Sequence, residues 1–401
     1  MKVPNLQTNN TLQFGHRPTA PRACVVDAKP HIRTFLAEAL EDLGFVACHC
    51  GRQAELPAVL RDTAPDLVIL GLLVPESDVT KALHSMAASG FRGKVMLFGG
   101  RASPVLLALH ELGEQIGLGM LPPLRTPFRD SDLRENLSAF LPIAPPPEVQ
   151  VDAEQALRNG WLEVWYQPKI DLRRMSLAGA EALIRLRHPA FGVVAPQGFD
   201  ASASDPQLLA LSDFLVERVM SDWTQFAQDR PPIGMTVRLP MAALESPAFI
   251  DRMCLQLPDH VAYARLTVEI NSIDVSRDPV LARQAARQLA AFDVGVSIDD
   301  VMAESSWLDL GDFPIAELQV ERSFIAGCAD DRHKRAACGM VLSIAARIGA
   351  RTVAKGIETS ADFKTVCDLG FDHGQGPLFA KPMDAARFAR TVLRGRSVPA
   401  R

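Results

Sequence analysis

No stretch of the 401-residue chain approaches the roughly 18 consecutive apolar residues of a membrane-spanning helix, so no transmembrane segment is expected. Residues 1–22 are polar and lack the apolar centre of a secretion signal. Positive charge is not in excess: 42 Lys and Arg face 47 Asp and Glu, and a net charge of −5 argues against a nucleic-acid surface. The seven cysteines fall at irregular spacing, which suits reduced cytosolic thiols better than a disulfide framework. Cys48-His49-Cys50 hints at a metal, but on a strand both Cys would share one face and His the other, as in an ordinary structural segment. No fixed-period repeat is visible, which excludes a solenoid. What remains is a cytoplasmic chain without membrane contact, whose 48% hydrophobic content suffices for two or three packed domains.

Residues 1–21 read as a loose tail. Over residues 22–140, apolar runs at 23–26, 46–48, 67–73, 95–98 and 120–121 read as strands. Helical spacing lies at 32–43, 56–60, 105–116 and 133–140. This alternation predicts a five-stranded, doubly wound α/β domain. Residues 141–149 are proline-rich and predict a semi-rigid linker. Residues 150–395 alternate again between strand and helix, which fits a closed (β/α)8 barrel of the triosephosphate-isomerase type. Residues 396–401 form a short C-terminal tail.

Chemistry in such barrels sits where the strands end. The acids at those ends are Glu181, Glu269, Asp299, Asp300 and Glu358, five carboxylates directed at one mouth. Like charges gathered this way need cations. Oxygen clusters of this kind bind Mg²⁺ or Mn²⁺, and two such ions can clamp a phosphodiester for hydrolysis. Glu181, Leu183 and Arg185 alternate onto one strand face, offering a cation ligand beside a phosphate clamp. Taken alone, this pattern describes a metal-dependent phosphodiesterase.

Gln167-Pro168, Gly179-Ala180-Glu181-Ala182-Leu183-Ile184-Arg185, His188-Pro189 and the Gly192…Pro196…Phe199 spacing resemble the start of an EAL domain, the bacterial cyclic-di-GMP phosphodiesterase family. The resemblance spans about residues 150–395 and implies a barrel with one reversed strand. It implies nucleotide contacts from Gln167, Glu181, Leu183, Arg185 and Gln375. Gln375-Gly376 and Lys381-Pro382 match the family's closing motif. Elsewhere the chain departs from the pattern. Arg238 stands where the family has a metal-ligating Asn, and Ser272 where it has a second Glu. Gln319 replaces the active-site Lys and Glu321 its companion Asp. Lys355 replaces a Glu of the metal site that also serves as base. Val301-Met302-Ala303-Glu304 replaces a Phe-Gly-x-Gly loop. A fixed Arg or Lys neutralises carboxylates and repels Mg²⁺. Loss of a proton-transfer group alone costs about 10²–10⁴-fold in rate.

The first domain resembles a response-regulator receiver through Val25-Val26-Asp27, Pro65 to Leu70, Val74-Pro75 and Thr126-Pro127-Phe128. Asp27 is kept, but Ala28 follows it, and Gly71 stands in place of the phosphoacceptor aspartate. Gly99 and Thr126 replace the family's Thr or Ser and its Lys. Gly71 has no carboxylate, so no aspartyl phosphate can form there. Asp66, at the start of a strand, and Asp78, on a loop, read as solvated.

The expectation is a non-catalytic regulator of cyclic-di-GMP signalling, without a cofactor. It would act through an unidentified regulatory protein and bind cyclic di-GMP weakly; a homo-oligomer is left open. The alternative is a phosphodiesterase producing linear pGpG at an altered site, which would need Mg²⁺ or Mn²⁺.

Overall fold

The computed structural model describes residues 20–52, 55–72, 76–100, 103–128, 130–138, 153–194, 206–226, 232–258, 263–301 and 313–393. Residues 1–19 of the expected N-terminal tail, the C-terminal tail at 396–401, the linker at 141–149, Val74-Pro75, Pro196, Phe199 and residues 302–304 lie outside these. The chain divides into two compact units, one of Met1–Val149 with Leu186–Ala195, the other of Gln150–Arg185 with Pro196–Arg401.

The first sheet holds β1 (Arg22–Val26), β2 (Val46–Cys50), β3 (Leu67–Gly71), β4 (Lys94–Gly100) and β5 (Gly119–Thr126), in the order β2-β1-β3-β4-β5. Its pairings are parallel. Side chains alternate across it. Ala23, Val25, Leu67 and Ile69 face Leu36 and Leu40 of helix Pro30–Glu41 and Leu133 beyond them. Cys24, Val26, Val68 and Leu70 face Leu56, Leu83 and Leu106 on the opposite side. Strand β3 is buried throughout, as a central parallel strand covered on both faces must be. A helix at Glu76–Ala88, carried by Val79, Leu83 and Met86, joins β3 to β4 and places Asp78 within it, not on a loop. The Asp66 carboxylate accepts a hydrogen bond from the Arg22 amide at 3.0 Å.

The second sheet begins with β6 (Leu162–Asp171), β7 (Ser176–His188) and β8 (Gly192–Val194). It continues with β9 (Ile233–Arg238), β10 (Tyr263–Asn271), β11 (Gly295–Asp299), β12 (Glu317–Val320), β13 (Arg351–Ala354), β14 (His373–Gly374) and β15 (Met383–Asp384). The β6–β7 pairing closes β6, β7 and β9 to β14 into an eight-stranded barrel. β6 runs antiparallel to β14, whereas β7 and β9 to β14 are parallel to one another. Helices Pro206–Phe226, Pro279–Ala290, Arg332–Ile348 and Ser360–Leu369 separate these strands in the chain. Tyr166 shows how the outer layer is fixed. Its ring packs edge-on to Phe226 at 5.0 Å, and its hydroxyl donates to Asp222 at 2.8 Å.

The barrel interior carries polar layers as well as apolar ones. Toward one end, buried Lys169 donates to Glu317 at 2.7 Å and to Thr236 at 3.1 Å. Glu317 lies two residues before Gln319 on β12, so both point inward, one layer apart. Burial pushes the Glu317 carboxyl up, but Lys169, His373 and Arg351 outweigh it and hold the group far below the carboxylate range.

Candidate functional site

Register places the acidic layer. Glu269 on β10 pairs with Arg238 on β9 and with Ser297 on β11, and Asn271 pairs with Asp299. Each of these strands is a short apolar run that ends in a polar residue, and the ends collect at one mouth. Lys355 follows β13, its amide bonded to the Val320 carbonyl at 3.1 Å, so its side chain starts from the same rim.

Lys355 is the centre of the site. Its Nζ lies 3.0 Å from Asp299, 3.4 Å from Glu269 and 3.5 Å from Glu181. Arg238 reaches Asp299 at 3.3 Å. Gln319 is fully buried and donates to Glu269 at 2.7 Å and to Ser297 at 2.8 Å. Gln375 donates to Glu181 at 3.1 Å. Arg238, Gln319 and Lys355 therefore touch the acids themselves.

The protonation states complete the balance. Burial, and then Glu181, push the Glu269 carboxyl well above its ordinary range. Burial also works against the Asp299 charge, but Lys355, the Glu269 hydrogen bond and Arg238 outweigh it and hold Asp299 low. The interaction between the two carboxyls favours the proton on Glu269 and the charge on Asp299. Burial pulls the Lys355 ammonium down, yet Glu181, Glu269 and Asp299 together raise it, so it stays charged. Lys355 and Arg238 thus both lie against Asp299, and Lys355 also lies against Glu181. An ammonium among these oxygens does not fit a divalent ion in the same place. Among the described residues, no group of three His, Cys, Asp or Glu side chains is arranged to hold a metal ion.

The remaining acids lie differently. Asp300 takes a positive φ of 55°; its side chain accepts from Asn271 at 3.1 Å and its carbonyl from Ser272 at 2.8 Å. Burial, then Asp299, raise its carboxyl. Glu358 is exposed and its carboxylate accepts from Arg322 Nε at 2.7 Å, so it does not join the Lys355 cluster. Glu321 caps a short helix at Arg322–Ile325 and accepts from Ser323 at 2.8 Å. Asn271 escaped the sequence reading; its signal was a side-chain amide one residue before Ser272, at a strand-to-helix turn that it caps.

The expected nucleotide contacts are engaged internally. Arg185 donates to the Ile184 carbonyl at 2.9 Å, and burial lowers its guanidinium from the usual value while Glu181 opposes this. Gln167 donates to the Ala380 carbonyl at 3.1 Å. Leu183 is half-buried between Glu181 and Arg185 on β7.

In the first unit, Asp27 is fully buried and accepts from the Lys29 amide at 2.8 Å. A Cβ at Gly71 would sit 1.9 Å from Asp27 Oδ2 and 2.6 Å from the Phe98 ring. Asp27 and Phe98 therefore occupy the space that a side chain at position 71 would need. The Thr126 hydroxyl donates to the Gly99 carbonyl at 3.1 Å, tying the end of β5 to β4.

The EAL domain family matches residues 150–382. The chain is 27% identical over 337 residues to the cyclic di-GMP phosphodiesterase RocR of Pseudomonas aeruginosa, covering 80% of this chain and 86% of that protein. A second cyclic di-GMP phosphodiesterase of that organism is 29% identical over 221 residues, 54% of this chain but only 38% of its own length. The solved structure of the PaMucR phosphodiesterase in complex with c-di-GMP is 26% identical, with a TM-score of 0.54 over 59% of this chain and 98% of that one.

Proposed function

Because the chain belongs to the EAL domain family, with residues 150–382 matched, we propose that it is a member that has exchanged metal-dependent hydrolysis for a regulatory role in cyclic-di-GMP signalling. The observation that carries this is Lys355 Nζ standing among Glu181, Glu269 and Asp299. Hydrolysis by this family, as the sequence resemblance implies, needs cations on those oxygens and a base at position 355. Here the cation is built in and the base is a lysine. With Gln319 bonded to Glu269 as an amide, the family's active-site lysine is also gone.

The protein acts by binding and needs no cofactor. Its domains run from residue 22 to 140 and from 150 to 395, joined by the linker at 141–149, and it works in the cytoplasm on a regulatory protein partner. The first domain is a receiver that takes no phosphoryl group, since Gly71 offers no acceptor and Asp27 Oδ2 occupies the space beside it. Cyclic di-GMP binds weakly, in the micromolar range or above, about −8 kcal/mol or poorer. Arg185 must first give up the Ile184 carbonyl to grip a phosphate.

The second reading, a phosphodiesterase with an altered metal site, is favoured by the names of the relatives and by the retained acids. A turnover assay with cyclic di-GMP in Mg²⁺ or Mn²⁺ separates the two. No linear dinucleotide is expected. Production that vanishes in Glu181→Ala would establish the second reading instead. Calorimetric titration then addresses binding: weak heat that is lost in Arg185→Ala is expected, and submicromolar binding that survives this change would overturn the proposed pocket.

A further inference from the structure

The parallel register of β1 and β2 sets Cys24 directly beside Cys48. Paired residues on neighbouring strands lie about 4.8 Å apart, within the roughly 4.4–6.8 Å between Cα atoms that a disulfide spans. Both side chains leave the sheet on the face covered by helix Leu56–Thr63. Cys50 shares that face but stands two residues along β2, diagonal to Cys24, whereas Cys48 is its register partner. β2 is an edge strand. Cys48 is partly exposed on it, whereas Cys24 is fully buried. Both are free thiols. His49 is exposed, out of step with the cysteines on either side.

We propose that Cys24 and Cys48 are an oxidisable pair, in which Cys48 reacts first with a peroxide and Cys24 closes the disulfide. The Cys48 thiolate attacks one oxygen of hydrogen peroxide; the O–O bond breaks, hydroxide leaves, and Cys48 becomes a sulfenic acid. The Cys24 sulfur then attacks the Cys48 sulfur, the S–O bond breaks, and the Cys24 proton leaves with the hydroxyl as water. Two thiols and one peroxide give one disulfide and two waters.

The surroundings suit these roles. The Cys24 thiol donates to Cys48, and with Thr63 it brings Cys48 down to about 7 against the effect of burial. Cys24 itself is pushed up by its hydrogen bonds to Cys48 and Cys50, so it keeps its proton until Cys48 is oxidised. Cys254 is a useful internal contrast, since burial and Asp251 push it up to about 11. Cys48 is therefore the more thiolate-rich of the two at pH 7, and the lower nucleophilicity of a less basic thiolate, with a Brønsted coefficient of about 0.4–0.5, offsets only part of that advantage.

The test uses the full-length protein at pH 7. Untreated protein is pulsed with iodoacetamide, and a second sample is exposed to hydrogen peroxide, blocked, and digested without reductant. Cys48 should be alkylated at least tenfold faster than Cys254. After peroxide, the peptide carrying Cys24 should be joined to the one carrying Cys48 and Cys50, two hydrogens lighter. Fragmentation should assign the bond to Cys48, and dithiothreitol should reverse it. In Cys24→Ser, dimedone should trap a sulfenic acid at Cys48. Alkylation of Cys48 no faster than of Cys254 would overturn the proposal, as would a peroxide-formed disulfide linking Cys48 to any other cysteine. Both readouts come from the wild type and do not depend on the variant folding.

Discussion

Replacing Lys355 by alanine removes the cation that Glu181, Glu269 and Asp299 share. Its three contacts are 3.0–3.5 Å long. At an effective dielectric constant of about 20, each contact with an ionised carboxylate represents roughly 5 kcal/mol of gross attraction. Desolvation and repulsion among the acids cancel most of that. Removing one member of a buried ion pair costs about 3–5 kcal/mol, because the other member is left uncompensated. The Lys355 side chain retains 21% exposure; water can enter the space it leaves, so the lower end, about 3 kcal/mol, is expected. For a barrel of this size that is a fall of about 6–12 °C in Tm. The vacated oxygens then become available to a divalent ion. An ion held at a hundred times its Kd returns about 2.7 kcal/mol, nearly the whole loss. Calorimetric melting of wild type and Lys355→Ala, each in EDTA and in millimolar MnCl₂, checks the chain of reasoning. The wild type should ignore both additions; the variant should melt low in EDTA and recover in Mn²⁺. A wild type that melts several degrees lower in EDTA would refute the built-in counterion. So would a variant that melts with the wild type and takes up no Mn²⁺.

The triple change Arg238→Asn, Gln319→Lys, Lys355→Glu should make melting depend on divalent ions, with a Tm in Mn²⁺ several degrees above that in EDTA; equal values would show that the acids no longer form a metal site. Incubation with a small phosphodonor and Mg²⁺ should add no mass to residues 22–140. Gly71→Asp should destabilise the first unit without restoring phosphorylation, because its Cβ alone would lie 1.9 Å from Asp27 Oδ2; a phosphorylated, fully stable variant would contradict this. Glu317→Gln should lose about 3 kcal/mol at pH 7, since buried Lys169 is left unpaired. The folded-state pKa of Glu317 is depressed, so its stabilisation is present above the unfolded value of about 4.3 and is lost as pH falls toward the folded value. The gap between wild type and variant in urea unfolding should therefore narrow below about pH 4, and a gap of constant size would show the linkage wrong.

Much of the fold was legible because apolar periodicity is local. Strand β3 reads as an unbroken apolar run since helices cover both its faces. The helix at Glu76–Ala88 escaped notice because its inward stripe of Val79, Ala82, Leu83 and Met86 includes an alanine and lies among polar residues, which weakens the contrast. The strand-end acids were legible for a similar reason, each closing a short apolar run. Their partners were not. Glu358 follows β13 just as Lys355 does, yet it is exposed and pairs with Arg322. That choice depends on which way the loop turns after Gly356, whose φ is +77°. The Lys169–Glu317 pair joins residues 148 positions apart, and no local pattern announces it.

Arg238, Gln319 and Lys355 are coupled through the acids they share. Arg238 and Lys355 both contact Asp299, and Gln319 and Lys355 both contact Glu269. Lys355 alone serves Glu181, Glu269 and Asp299, and Arg238 adds a second cation at Asp299. The neutral Gln319 amide bonds Glu269 without adding positive charge, which a lysine at position 319 would do. Arg238, Gln319 and Lys355 are therefore electrostatically matched to one another, and changing one of them alone should be less favourable than changing all three. On this argument Gln319→Lys alone should destabilise the barrel, while the same substitution alongside Lys355→Glu and Arg238→Asn should be tolerated when Mn²⁺ is supplied. Additive effects of the three changes, measured by urea unfolding in Mn²⁺, would show that they do not act as one unit.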